Sequence, residues 1–106
     1  MQIQINTDHN IAGHEALGAH VRSVVESTLS RNSNHVTRVE VHLSDENSYR
    51  GGQDCKRCMM EARLEGHQPI AVTNDAATLD EAVNGAAGKL DRLIESTLGR
   101  LAARST

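Results

Sequence analysis

Cys55-Lys56-Arg57-Cys58 is the first place where residue type and spacing could do chemistry. A CxxC is half of a zinc site or a thiol redox pair. No second CxxC follows, and no closely spaced pair of histidines stands downstream. A redox CxxC opens a helix, whose dipole lowers the thiol pKa, whereas this one leads into a strand pattern. Residues three apart on a strand point to opposite faces, so Cys58 is expected in the core and Cys55 at a loop edge. Buried free cysteine is common, which makes a structural role the simpler account and metal binding the alternative.

His9, His14, His20, His35, His42 and His67 are scattered, and no pair has the spacing that places two ligands on one helical face. His14 falls on the apolar side of the first helix. Asp45-Glu46 could serve acid–base chemistry, but no nucleophile or basic partner lies near them in sequence. There is no Gly-rich phosphate loop, nucleophile elbow or metalloprotease signature. No catalytic residue, metal ligand, cofactor or small-molecule substrate is therefore expected, and the chain reads as a non-enzyme.

The basic residues are better organised. At about 100° per residue, Lys89, Arg92, Ser96, Arg100 and Arg104 fall along one flank of the second helix. Asp80, Asp91 and Glu95 fall on the other, with an apolar stripe between. Segregated Lys and Arg suit a phosphate backbone, to which they give affinity without base readout. The bland alternative is a solvated helix whose cations also favour its C-terminal end.

The elements that position these groups follow from periodicity. Met1, Ile3 and Ile5 alternate with polar residues as a half-buried strand does. Leu17, Val21, Val24, Val25 and Thr28 recur at helical spacing between Gly13 and a turn signal at Asn32-Ser33-Asn34. From Val36 a second strand follows, with Thr37, Val39, Val41 and Leu43 expected on one face and Arg38, Glu40 and His42 on the other. Residues 45–54 read as a flexible hairpin loop.

In a third strand, from about Lys56 to Glu65, Cys58, Met60, Ala62 and Leu64 are expected to share a face opposite Arg57, Met59, Glu61, Arg63 and Glu65. A tight turn at Gly66–Gln68 leads to a short fourth strand, Pro69–Thr73, whose proline suits an edge. Thr78 and Glu81 form a capping box. The helix they open runs to about Arg100, with a tail over about 102–106.

These patterns predict an α+β fold in the order β-α-β-β-β-α: a four-stranded mixed sheet with two helices on one face. The opening unit would be a right-handed crossover between parallel strands. The 106 residues suit one domain, 1–106. Tyr49 is the only aromatic, so the core must be aliphatic and no aromatic platform stacks RNA bases. A net charge of −3 argues against a general polyanion binder while leaving room for a local basic patch. No apolar run reaches the roughly 18–20 residues of a membrane span. The cysteines, the absence of a signal-peptide pattern and a strand starting at Met1 make the cytoplasm the expected compartment.

Several runs resemble the bacterial ribosome hibernation-promoting factor and ribosome-associated inhibitor family. They are Met1-Gln2-Ile3-Gln4-Ile5, Val39-Glu40-Val41-His42-Leu43, Ala82-Val83-Asn84 … Lys89-Leu90-Asp91-Arg92 and, most specific, Asp45-Glu46-Asn47 … Gly51-Gly52 … Asp54 … Lys56-Arg57-Cys58-Met59-Met60-Glu61-Ala62-Arg63. The resemblance is to short, sigma-54 modulation protein-like members and covers nearly the whole chain.

It implies a fold whose α-β-β-β-α part looks like a double-stranded RNA-binding domain. It also implies a steric plug on the small ribosomal subunit that blocks the messenger and transfer RNA channel. Carried over by position, Lys89 and Arg92 match the family's Lys-Leu-acidic-Arg motif, and Arg100 and Arg104 follow on the same flank. Arg22, Arg31 and Arg38 complete the expected ribosomal RNA contacts, with Arg57 and Arg63 further candidates on the polar sheet face. The first helix departs from the family: Ser27-Thr28-Leu29-Ser30-Arg31 stands where several lysines and an aromatic are usual. A C-terminal extension of the kind by which long members dimerise is not expected. Two other function classes remain: a thiol- or zinc-responsive protein using Cys55 and Cys58, and a protein-interaction domain that kept the fold without the ribosome.

Overall fold

In the computed structural model the order is β1 (Gln2–Thr7), α1 (His14–Thr28), a 3₁₀ helix (Ser30–His35), β2 (Val36–Asp45), β3 (Lys56–Leu64), β4 (Ile70–Ala76) and α2 (Leu79–Ser105). The structure describes residues 1–8, 14–45 and 55–105, by backbone alone at 14, 104 and 105. Apart from Asp45, which ends β2, the loop expected over 45–54 lies outside the described residues.

The four strands lie in the order β1-β2-β3-β4. β1 runs parallel to β2, and the other pairs are antiparallel. This is the α+β architecture expected. β1 and β4 are the edges, and Pro69, which has no N–H to give a ladder, stands just before β4.

Strand alternation decides which face is covered. Ile3, Val39, Ala62 and Ile70 form one cross-strand row, and Ile5, Val41, Met60 and Val72 the next. Val21 and Val25 of α1, Leu29 beyond it, and Val83, Ala86, Ala87, Leu90 and Ile94 of α2 close over these rows in a single core. Burial of a Val, Leu, Ile or Met side chain contributes about 1.5–3 kcal/mol, so a core without aromatics is built from many such members.

Four local features differ from expectation. A register shift falls between Val36 and Arg38. Val36 takes the core position there, while Thr37, expected inside, is exposed and donates its hydroxyl to the Arg63 carbonyl at 3.1 Å. An inserted residue of this kind flips the alternation locally. Where Asn32-Ser33-Asn34 pointed to a turn, a 3₁₀ helix stands, with Asn32 buried. β4 continues three residues past Thr73, to Ala76.

The fourth is the length of α2, which continues to Ser105, so that residues 102–105, expected as a tail, are helical. At its start the Glu81 N–H donates to Thr78 Oγ1 at 3.1 Å, and the Thr78 hydroxyl donates to Glu81 Oε1 at 3.0 Å. Gly66, at φ 74°, makes the turn between β3 and β4 in a region that favours glycine.

Candidate nucleic-acid interface

The two charged flanks of α2 meet different surroundings. Its acidic flank is consumed by α1 and the 3₁₀ helix. Asp80 Oδ1 lies 2.7 Å from His20 Nε2. The Arg31 guanidinium bridges Asp91 Oδ2 and Glu95 Oε1, each at 3.0 Å. Asn32 Nδ2 donates to the same Glu95 oxygen at 2.7 Å. Asp91 is only 16% exposed, and its Oδ1 is buried with no hydrogen-bond partner among the described residues. Arg31 is thus committed to a polar seam between the helices.

The opposite flank of α2 keeps its cations. Arg92 is exposed and makes no hydrogen bond or ion pair among the described residues. Arg100 donates only to hydroxyls of its own helix, Ser96 Oγ at 2.8 Å and Thr97 Oγ1 at 3.4 Å. Lys89 Nζ donates to the Thr73 carbonyl of β4 at 3.0 Å. Arg104 continues the helical backbone. Lys89, Arg92 and Arg100 form a basic strip, while Asp91 and Glu95 of the same helix are held on the other side. The physical cause is helix packing, which turns Asp91 and Glu95 towards Arg31 of the 3₁₀ helix and away from the strip, so that these acids oppose a phosphate's approach less.

Arg22 and Arg38 stand at the far edge. Arg22 Nη1 donates to the Ile3 carbonyl at 3.2 Å, and both arginines line a shallow polar depression beside Met1–Gln4. Arg38 also donates to Gln4 Oε1 and lies 3.4 Å from Glu40. The open sheet face is charge-balanced. Arg57 holds Asp75 through two bonds, at 2.9 and 3.3 Å, and Glu61 and Arg63 share β3 with it. Arg38 and Arg63 stand directly opposite one another, as do Glu40 and Glu61. The expected cations are therefore divided among an α2 strip, the helix seam that holds Arg31, a β1 edge and a balanced sheet face.

Cys58 is fully buried in β3, where desolvation pushes its thiol up to about 12. Cys55, half-buried, precedes the strand. A thiol held protonated is a poor zinc ligand and a poor nucleophile. Among the described residues no group of three or more His, Cys, Asp or Glu could hold a metal ion. Among those residues, too, no helix is long and apolar enough to cross a membrane.

Sequence reasoning read Asn32 only as a turn residue and did not single out Asn74. Asn74 Nδ2 donates to the carbonyls of Glu81 and Ala82 at 3.3 and 3.2 Å, pinning β4 to α2. Nothing local in sequence marks it, because its partners come from the next element. Asn32 had one signal: Asp91 and Glu95, one turn apart, require a polar partner on whatever packs beside them.

Comparison with known proteins agrees with this architecture. The family model described as sigma 54 modulation protein / S30EA ribosomal protein matches residues 3–102. A ribosomal subunit interface protein from Coxiella burnetii superposes with a TM-score of 0.71 at 16% identity, covering 93% of this chain and 99% of the other. The N-terminal domain of Thermus thermophilus Protein Y gives 0.65 at 22% identity, covering 92% and 99%. At such identities the two structures share the fold. No curated protein matches the chain.

Proposed function

The chain belongs to the sigma 54 modulation protein / S30EA ribosomal protein family, a family of ribosome-associated modulators and not of enzymes, and from that premise we propose that it is a hibernation factor of the small ribosomal subunit. In this reading it lies in the messenger and transfer RNA channel in the cytoplasm and silences translation by occupying space. The observation that carries the reading is the strip of Lys89, Arg92 and Arg100 on α2, opposite acids already paired with α1 and the 3₁₀ helix. Arg104 extends the strip, and Arg22 supplies a second point of contact at the β1 edge. Arg31 and Arg38, each facing a carboxylate, contribute less, and Arg57 is tied to Asp75.

Cosedimentation with purified small subunits at two salt concentrations tests this. Five phosphate contacts weaken affinity by about 10²- to 10³-fold between 50 and 200 mM salt. Pelleting with the subunit at low salt, lost at high salt, is the expected result. Failure to pellet at low salt overturns the proposal.

A further inference from the structure

Arg22 and Lys89 end on the same kind of group at opposite sides of the sheet. Each reaches from a helix over an edge strand and donates to an outward-facing backbone carbonyl: Ile3 on β1 at 3.2 Å and Thr73 on β4 at 3.0 Å. Thr73 is the middle residue of β4. Edge strands carry a row of unpaired N–H and C=O groups that another strand can join.

We propose that Arg22 and Lys89 guard the two edges of the sheet against strand addition by a second copy of this chain. A strand's N–H and C=O of one residue point to the same side, so the Lys89 bond marks Ala71, Thr73 and Asp75 as the outward set of β4. An added strand would have to claim the Thr73 carbonyl and displace the lysine stem. A second copy fits because β4 is self-complementary about Thr73. In an antiparallel pair centred there, Ala71 meets Asp75 and Val72 meets Asn74, with no like charges opposed. Asp75, the one charged residue of β4, is already held by Arg57. An ammonium has three donors and a guanidinium five, so the guard bond leaves donors free and is independent of the ribosome reading.

Sedimentation velocity over a range of protein concentrations, with Lys89→Ala, Arg22→Ala and the double variant, tests the idea. Wild type, Lys89→Arg and Arg92→Ala stay monomeric. Each single alanine variant opens one edge and gives concentration-dependent dimers of about twice the monomer mass, and the double variant goes beyond dimers because two open edges propagate. Hydrogen exchange shows the Thr73 amide newly protected in the Lys89→Ala dimer. Lys89→Met keeps the stem and removes the donor, and serves if alanine impairs folding. A double variant that stays monomeric at every concentration overturns the proposal. So does Arg92→Ala associating as strongly, or a wild type already protected at Thr73.

Discussion

Cys58 sits in the row of Leu43 and Asn74, beneath the helices. Its neutral thiol is favoured in the fold because burial strips the thiolate of water. The folded value lies above the unfolded one, so the folded chain holds its proton longer. The associated stability is fully present below the ordinary thiol value and is lost as pH rises from 9 towards about 12, at up to about 1.4 kcal/mol per pH unit. Urea unfolding at pH 8 and pH 10.5 checks this: the midpoint falls with pH in the wild type and falls less in Cys58→Ala. Native-state alkylation at neutral pH labels Cys55 alone, and Cys58 reacts only on unfolding. Sequence spacing already placed the two thiols on different sides of the strand. The depth of burial came from α2, which spacing alone does not place.

The glycines of α2 separate helix propensity from packing. A Cβ on Gly85 would collide with the Asn74 side-chain amide, whereas one on Gly99 meets nothing within 4 Å. Gly99→Ala is expected to stabilise the protein by up to about 1 kcal/mol, the difference in helix propensity. Gly85→Ala gains the same propensity but dislodges Asn74 from two carbonyls, a loss of about 0.5–1.5 kcal/mol for each bond. A net destabilisation of about 1 kcal/mol is expected for Gly85→Ala. In an Asn74→Ala background the same substitution becomes neutral or stabilising. A denaturation-based double-mutant cycle on Asn74 and Gly85 checks both statements. The capping box at Thr78 and Glu81 was legible because its partners lie three residues apart. The Asn74–Gly85 contact was not, because it joins two elements through an absent side chain.

Over the whole molecule, the seam between the helices sets the direction of the field. Arg31 is 64% exposed, so its ion pairs are discounted by solvent, and Arg31→Ala is expected to cost about 1 kcal/mol. Because Arg31 is already paired, its removal leaves the salt dependence of ribosome binding near that of wild type. Arg92→Ala leaves stability near wild type and lowers the slope of log K against log salt by about 0.7–0.9 if one phosphate contact is lost. Thermal melts with salt-titrated cosedimentation of both variants separate the two roles. Equal slope losses in the two would place Arg31 on RNA.

The sequence by itself determined the order of the strands and the two long helices, the covered face of each strand past the register shift in β2, the start of α2 and the segregation of its charges. All rest on local periods of two and 3.6 residues and on neighbours a few positions apart. Tertiary structure decided which of the segregated charges stay available. Arg31 and Lys89 look alike along the chain. Only the packing of the 3₁₀ helix against α2, and of α2 over β4, gives one to a pair of carboxylates and the other to an edge carbonyl. The CxxC that first drew chemical interest lost it the same way, when β3 carried Cys58 beneath the helices.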